Sequence, residues 1–261
     1  MDIVFPEAPH EPNSDVSSII LFGKEKCGKT TSLSKLKNCL IIDTEYGSLN
    51  VPALSITPPE DNGPVGKMNW LRRVGNKLIE DGRKYDYVAI DTLSEVNDWA
   101  EWSGTFKYMN SLQGSSFNRV RDAKGVPIKN GPFLEFTDIN YQSVHSIPEG
   151  YGYRWSRDEV MDIFNLFKNA AKKCVIFVCH VEDKYIPTKD NTEMVMPRQL
   201  ALTGALRNIL PRKVGAIGYV YNDKGVVKVN FAGTDDKLGG ARAQHLIGYN
   251  DVLDWSKIFI D

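Results

Sequence analysis

Apolar runs and stretches of helical period alternate along this chain. Ser17–Phe22, Cys39–Ile42, Tyr85–Ile90 and Cys174–Cys179 are short apolar runs with no polar alternation, the mark of strands buried on both faces. A short helix is predicted over Thr31–Leu36. A second is predicted over 66–82, where Trp70, Leu71, Val74, Leu78 and Ile79 share a face and Arg72, Arg73 and Lys77 read as the solvated side. Leu93, Val96, Trp99 and Ala100 predict a helix over 93–108. Val160, Ile163, Phe164, Phe167 and Ala171 predict another over 158–171, and a short one follows over 201–210. Near the end, Val214–Tyr221 and Val226–Phe231 flank Asn222-Asp223-Lys224-Gly225, a hairpin signal. Strands separated by helices predict an α/β fold: a central, mostly parallel sheet flanked by helices, with a C-terminal hairpin.

Two stretches escape any period. Residues 1–15 are polar and carry Pro6, Pro9 and Pro12, which predicts an extended tail. Residues 110–157 are broken by glycines and by Pro127, Pro132 and Pro148, and read as an insertion between core elements. Arg119, Arg121, Lys124 and Lys129 lie there among Phe117, Phe133, Phe136 and Tyr141. Basic and aromatic residues together suit backbone contacts and base stacking on single-stranded nucleic acid. The same aromatics also suit the small core of a folded sub-lobe. The chain therefore divides into a tail over 1–15 and one domain over 16–261 with an insertion at 110–157.

Composition narrows the class. At 261 residues with 42% hydrophobic and 25% charged positions, the chain is ordinary for a globular domain with a sizeable core. No apolar run reaches the roughly 18 residues of a membrane span, and the N-terminus lacks a basic start and an apolar stretch, so no membrane association is expected. The four cysteines form no C-x-x-C pair and fall in or beside predicted core strands and the turn after the first, so buried reduced thiols and a cytoplasmic setting are expected. A net charge of −1 argues against coating nucleic acid through bulk charge. Any such binding must come from local basic residues.

The chemistry starts at Gly23-Lys24-Glu25-Lys26-Cys27-Gly28-Lys29-Thr30, followed by Thr31, which reads G-x-x-x-x-G-K-T between a predicted strand and a predicted helix. The glycines let successive N–H groups curl around a phosphate, and the helix start favours the same anion. Lys29 can reach the β- and γ-phosphates of ATP, and the Thr30 hydroxyl can ligate Mg²⁺. The strand ending in Asp91 reads as its partner, placing a carboxylate on the same Mg²⁺. Thr92 or Ser94 can cap the helix that follows. Asp43 and Glu45 end another strand, and spacing alone leaves open which of them orients and deprotonates the attacking water. His180 ends a fourth strand, where it can contact the γ-phosphate. A polar segment with Lys184 and Arg198 follows. Lys237 and Arg242 lie in a Gly-rich stretch and read either as cationic fingers for a neighbouring subunit's nucleotide or as surface charge.

This order of motifs resembles a RecA-type P-loop ATPase core. Ile42-Asp43-Thr44-Glu45 is similar to that family's I-D-x-E pattern, which assigns the catalytic role to Glu45 alongside Lys29. His180 stands where the family has its Gln or His phosphate sensor. The insertion and the segment 182–199, with Arg119, Arg121, Lys124, Lys129, Lys184 and Arg198, fall where recombinases carry their two loops for single-stranded DNA. Phe5-Pro6-Glu7-Ala8 resembles the F-x-x-A self-association segment of eukaryotic recombinases, implicating Phe5 and Ala8 in oligomerisation. More narrowly, size and the Val178-Cys179-His180-Val181-Glu182-Asp183-Lys184 region resemble the phage Sak-type single-strand-annealing recombinases. That resemblance implies an ATP- and Mg²⁺-dependent homo-oligomer, ring or filament, that acts on single-stranded DNA, with a single-strand-binding protein as a further partner. A DNA-translocating motor and an ATP-switched loader are the alternative expectations.

Overall fold

The computed structural model describes residues 16–183, 186–187, 194–195, 198–233 and 238–260. Each predicted apolar run becomes a strand, and the polar or glycine-containing turn after it starts a new element. The first run is β1 (Ser18–Gly23), followed by α1 (Lys29–Leu33), β2 (Cys39–Asp43) and β3 (Leu54–Ile56). Next come α2 (Pro64–Glu80), β4 (Tyr87–Asp91) and α3 (Leu93–Met109), then, after the insertion, α4 (Tyr153–Phe167). The remainder is β5 (Cys174–Asp183), β6 (Ile186–Pro187), β7 (Met194–Val195), β8 (Arg198–Leu200), α5 (Leu206–Ile209), β9 (Ala216–Asp223), β10 (Val226–Asn230), β11 (Gly240–Ala241), β12 (Asn250–Val252) and α6 (Trp255–Ile258).

The sheet runs β12-β10-β9-β1-β5-β4-β2-β3, with β8 added to β5 and β11 to β9. From β9 to β3 every neighbouring pair is parallel, and the C-terminal strands add antiparallel. This is the predicted α/β architecture with its hairpin at β9–β10. The hairpin turn places Lys224 and Gly225 at φ 51° and 90°, the left-handed pair that matches strand twist. Strand β5 inserts between β1 and β4, so the Gly-rich turn and Asp91 lie on strands separated by one strand. Through β5, Gly23 pairs with His180 and Asp91 with Val178, two residues earlier, while Asp43 and Asp91 are level on β2 and β4.

Alternate residues of the central strands feed two cores. Ile20, Phe22, Ile42, Val88, Ile90 and Phe177 pack under α2, α3 and α4. Ile19, Leu21, Ile41, Ala89 and Ile176 pack under α1 and the C-terminal segment. There Trp255 Nε1 donates to the Ser32 carbonyl at 2.8 Å, and the Phe259 ring packs against Tyr87 at a tilt. All four cysteines are buried and free, and burial pushes the Cys39 and Cys179 thiols up to about 12.

Several boundaries differ from expectation. Helix α1 begins at Lys29 and ends at Leu33, because Lys35 N–H and Leu36 N–H bond back only three residues and tighten the turn. Helix α4 starts at Tyr153, inside the range read as the insertion, and ends at Phe167. Arg72 is not on a solvated face. Its Nη2 lies 2.6 Å from Glu159 Oε2, and Glu159 is fully buried between Arg72, Lys107 and Ser103. Helical period placed Arg72 opposite the apolar stripe but could not show that α4 would cover that side too.

The insertion folds onto α3. Trp102 packs with Phe136 and Tyr141, Tyr108 with Phe117, and Asn118 clasps the Gln142 backbone through both its amide atoms. Its end is pinned by His145, which lies 3.3 Å from Glu101 Oε2 and 2.7 Å from Ser156 Oγ. Between these anchors 119–133 doubles back as a narrow loop, bridged at Arg119–Phe133 and Arg121–Pro127. Among the described residues, no helix is long and apolar enough to cross a membrane.

Candidate active site

The turn between β1 and α1 is shaped by close approach. A Cβ on Gly23 would stand 2.2 Å from the Val220 carbonyl oxygen of β9. One on Gly28 would stand 2.6 Å from a Val227 methyl of β10, and Gly28 also holds φ +101°. The hairpin is thus packed against the turn, and only glycine fits at either place. We expect Gly28→Ala to weaken nucleotide binding and lower the melting temperature. Adding Val227→Ala should recover part of the loss but not the roughly 1–2 kcal/mol of left-handed backbone strain. Thermal melts and nucleotide titrations of the single and double variants check this.

Lys29 is buried, and its ammonium bonds the Gly23 and Lys24 carbonyls at 2.9 and 2.7 Å. Thr30 Oγ1 donates to Asp91 Oδ2 at 2.5 Å across the space between α1 and β4. Burial pushes the Asp91 carboxyl up to about 6, against the Thr30 hydrogen bond. A buried carboxylate whose charge is this costly, facing a hydroxyl, is a hard-oxygen donor set suited to Mg²⁺. Among the described residues no three His, Cys, Asp or Glu side chains gather as a metal cage. Two protein oxygens fit a Mg²⁺ whose other ligands are water and substrate phosphates.

The two carboxylates ending β2 have different surroundings. Asp43 is buried and accepts the backbone N–H groups of Glu45, Gly47 and Ser48 at 2.7–3.2 Å. Its oxygens are consumed in holding the turn. Glu45 is partly exposed, and its Oε1 accepts from Thr92 Oγ1 at 2.6 Å and pairs with His180 Nε2 at 2.7 Å. Burial works to raise the Glu45 carboxyl, but the bonds from His180 and Thr92 outweigh it and hold it below its usual range. The same bond raises His180, over the opposing effect of burial. Gly28, Lys29, Thr30, Glu45, Asp91 and His180 all line one cleft of about 790 Å³, together with Glu25, Lys26 and Thr31. Thr44 and Thr92, which brace Glu45, carried no signal beyond the helix cap read at Thr92. The signal available was position: each directly follows a strand end, and the strands are level.

The other predicted residues are dispersed. Arg119 spends its guanidinium on the Ser115 and Gly131 carbonyls and on the Phe133 face 3.6 Å away, and Arg121 bonds the Gly125 carbonyl. Arg121, Lys124 and Lys129 are exposed on the narrow loop. Arg198 stacks over Tyr219 at 4.7 Å. Arg242 bonds the Arg212 carbonyl, beside the start of β9 and at the opposite end of the strands from the cleft. Phe5, Ala8, Lys184 and Lys237 lie outside the described residues.

Residues 16–122 match the model of a family described as an AAA domain. The matched stretch contains the G-x-x-x-x-G-K-T turn of a P-loop, set between β1 and α1. This P-loop match includes the Gly-rich turn, Glu45 and Asp91, and stops before His180. The solved structure of a prototypical ATPase from the type III secretion system of pathogenic bacteria aligns with 90% of this chain and 60% of that one, at 9% identity and a TM-score of 0.44. The P-loop chain thus covers less than two thirds of that ATPase's length. No curated protein matches the sequence.

Proposed function

We propose that this P-loop protein is a Mg²⁺-dependent ATPase of RecA-like type that acts on single-stranded DNA as a recombinase, by annealing or strand exchange. The observation that carries the ATPase reading is Glu45. It is a hydrogen-bonded carboxylate, level with the Thr30–Asp91 pair and sharing one cleft with Lys29. Lys29 and the turn's N–H groups bind the β- and γ-phosphates. Thr30 and Asp91 would hold a Mg²⁺, which when bound would supply charge to offset the phosphates. Glu45 orients the attacking water and takes its proton. His180, bonded to Glu45, contacts the γ-phosphate and links its presence to β8 and the segment beyond.

The DNA reading is supported by the family resemblance and by Arg121, Lys124 and Lys129, which project from the insertion into solvent. In this reading copies of a phage-encoded chain assemble in the host cytoplasm through Phe5 and Ala8, with Lys237 and Arg242 reaching a neighbour's nucleotide and a single-strand-binding protein as further partner. The test is anisotropy of a labelled single strand across a salt series. Replacing Arg121, Lys124 and Lys129 with alanine should weaken binding and flatten the log–log salt slope by about 2. An unchanged slope removes the loop from the interface. A second reading, an ATP-switched binding module, is favoured by Leu112 and Ile139, which stand almost fully exposed on the same lobe. Partner capture that follows ATP and ignores DNA would support it.

A further inference from the structure

A carboxylate base offers two equivalent oxygens, and in Glu45 the protein treats them differently. Oε1 receives both the Thr92 hydroxyl and the His180 ring, and among the described residues none bonds Oε2. The Thr92 hydroxyl owns one proton and two lone pairs. One lone pair accepts the Glu95 backbone N–H at 3.3 Å, which makes Thr92 the N-cap of the 17-residue helix α3. With that helix start pointing N–H groups at its oxygen, the hydroxyl proton is directed to Glu45. The backbone beneath is clamped as well. Thr92 N–H donates to Thr44 Oγ1 at 2.7 Å, Thr44 Oγ1 donates to the Thr92 carbonyl at 3.1 Å, and Thr44 N–H donates to the Asp91 carbonyl at 2.8 Å. Both threonines are buried. These bonds tie the ends of β2 and β4 together one residue beyond their last paired positions, Asp43 and Asp91.

We propose that Thr92 is a positioning residue for hydrolysis, which anchors Oε1 of Glu45 and so leaves Oε2 as the oxygen that works on water. In the step it serves, a water O–H bond breaks and its proton passes to Oε2. The water oxygen bonds the γ-phosphorus, and the bond from that phosphorus to the bridging oxygen breaks, its electron pair leaving with ADP. The inference rests on the reading of Glu45 as base. A rotating carboxylate would spend much of its time misaligned, and an anchored one is preorganised.

The test compares Thr92→Val, Thr92→Ser and Glu45→Gln by steady-state kinetics, nucleotide affinity and thermal melts. Thr92→Val should lower kcat about 10- to 100-fold, the loss expected for one hydrogen bond to a charged group, while nucleotide affinity and KM change little. Thr92→Ser keeps the hydroxyl and should restore kcat to within about threefold of wild type. In the Glu45→Gln background Thr92→Val should cost almost nothing more, because the anchored group no longer acts as base. Losing the cap lowers the melting temperature by only a few degrees, and Thr92→Ala repeats the measurement without the valine's second methyl. Wild-type kcat in Thr92→Val, or equal losses in the serine and valine variants, overturns the proposal. If Glu45→Gln itself keeps turnover, the base reading fails. If Glu45→Gln is dead and Thr92→Val is not, only the anchoring by Thr92 fails.

Discussion

Glu45→Gln leaves ATP binding near the wild-type level and lowers turnover by roughly 10²–10⁴-fold, the contribution of a positioned general base. The amide matches the carboxylate in shape and can still accept from Thr92 and His180, so the cleft keeps its form. What it loses is the ability to take a proton. Binding is expected to survive because, in the proposed reading, Lys29 and the Gly-rich turn hold the phosphates. Asp43 cannot substitute, since Glu45, Gly47 and Ser48 N–H groups occupy its oxygens. Single-turnover hydrolysis with a fluorescent-nucleotide titration separates the two steps. Unchanged turnover in this variant would remove Glu45 from its role.

The second large effect is on stability. Glu159 is fully buried between α2, α3 and α4, and Arg72, Lys107 and Ser103 converge on its carboxylate. Burial favours the neutral acid, yet the bonds from Lys107, Ser103 and Arg72 outweigh it and hold the group below its usual range. Glu159→Ala removes the anion that three helices share and leaves its donors facing one another. We expect a loss of about 3 kcal/mol, or roughly 6–12 °C in melting temperature for a chain of this size. Because the folded pKa lies below the unfolded one, this stability is fully present above the unfolded value near 4.3. It is lost as pH falls through the folded pKa. Melts from pH 7 down to pH 3 should therefore show the wild-type advantage shrinking with acid. A constant gap between wild type and variant would show that packing, and not the ion cluster, supplies the effect.

These two sites differ in how far the sequence reveals them. The Gly-rich turn is local, and its spacing, the strand before it and the helix after it were all legible. Asp91 was legible because β4 is a bare apolar run that stops at a carboxylate. The choice between Asp43 and Glu45 was not legible from spacing, because the decisive partners are backbone N–H groups of a turn that exists only once the chain has folded. The Arg72–Glu159 pair spans 87 positions and depends on how two helices pack. Helical period gives each helix its apolar stripe but says nothing of polar contacts at the stripe's edge. The insertion had no period to read. Its aromatics fold onto α3 through Trp102 and Tyr108, residues whose sequence neighbours give no hint of that use.

In the proposed function one P-loop site hydrolyses ATP in service of single-stranded DNA. The most direct measurement is steady-state ATP hydrolysis by the full chain with Mg²⁺, with and without single-stranded DNA, alongside Lys29→Ala. Turnover should rise with single strands and disappear in the variant. Turnover that survives Lys29→Ala would contradict the site, and turnover indifferent to single strands would contradict the DNA role.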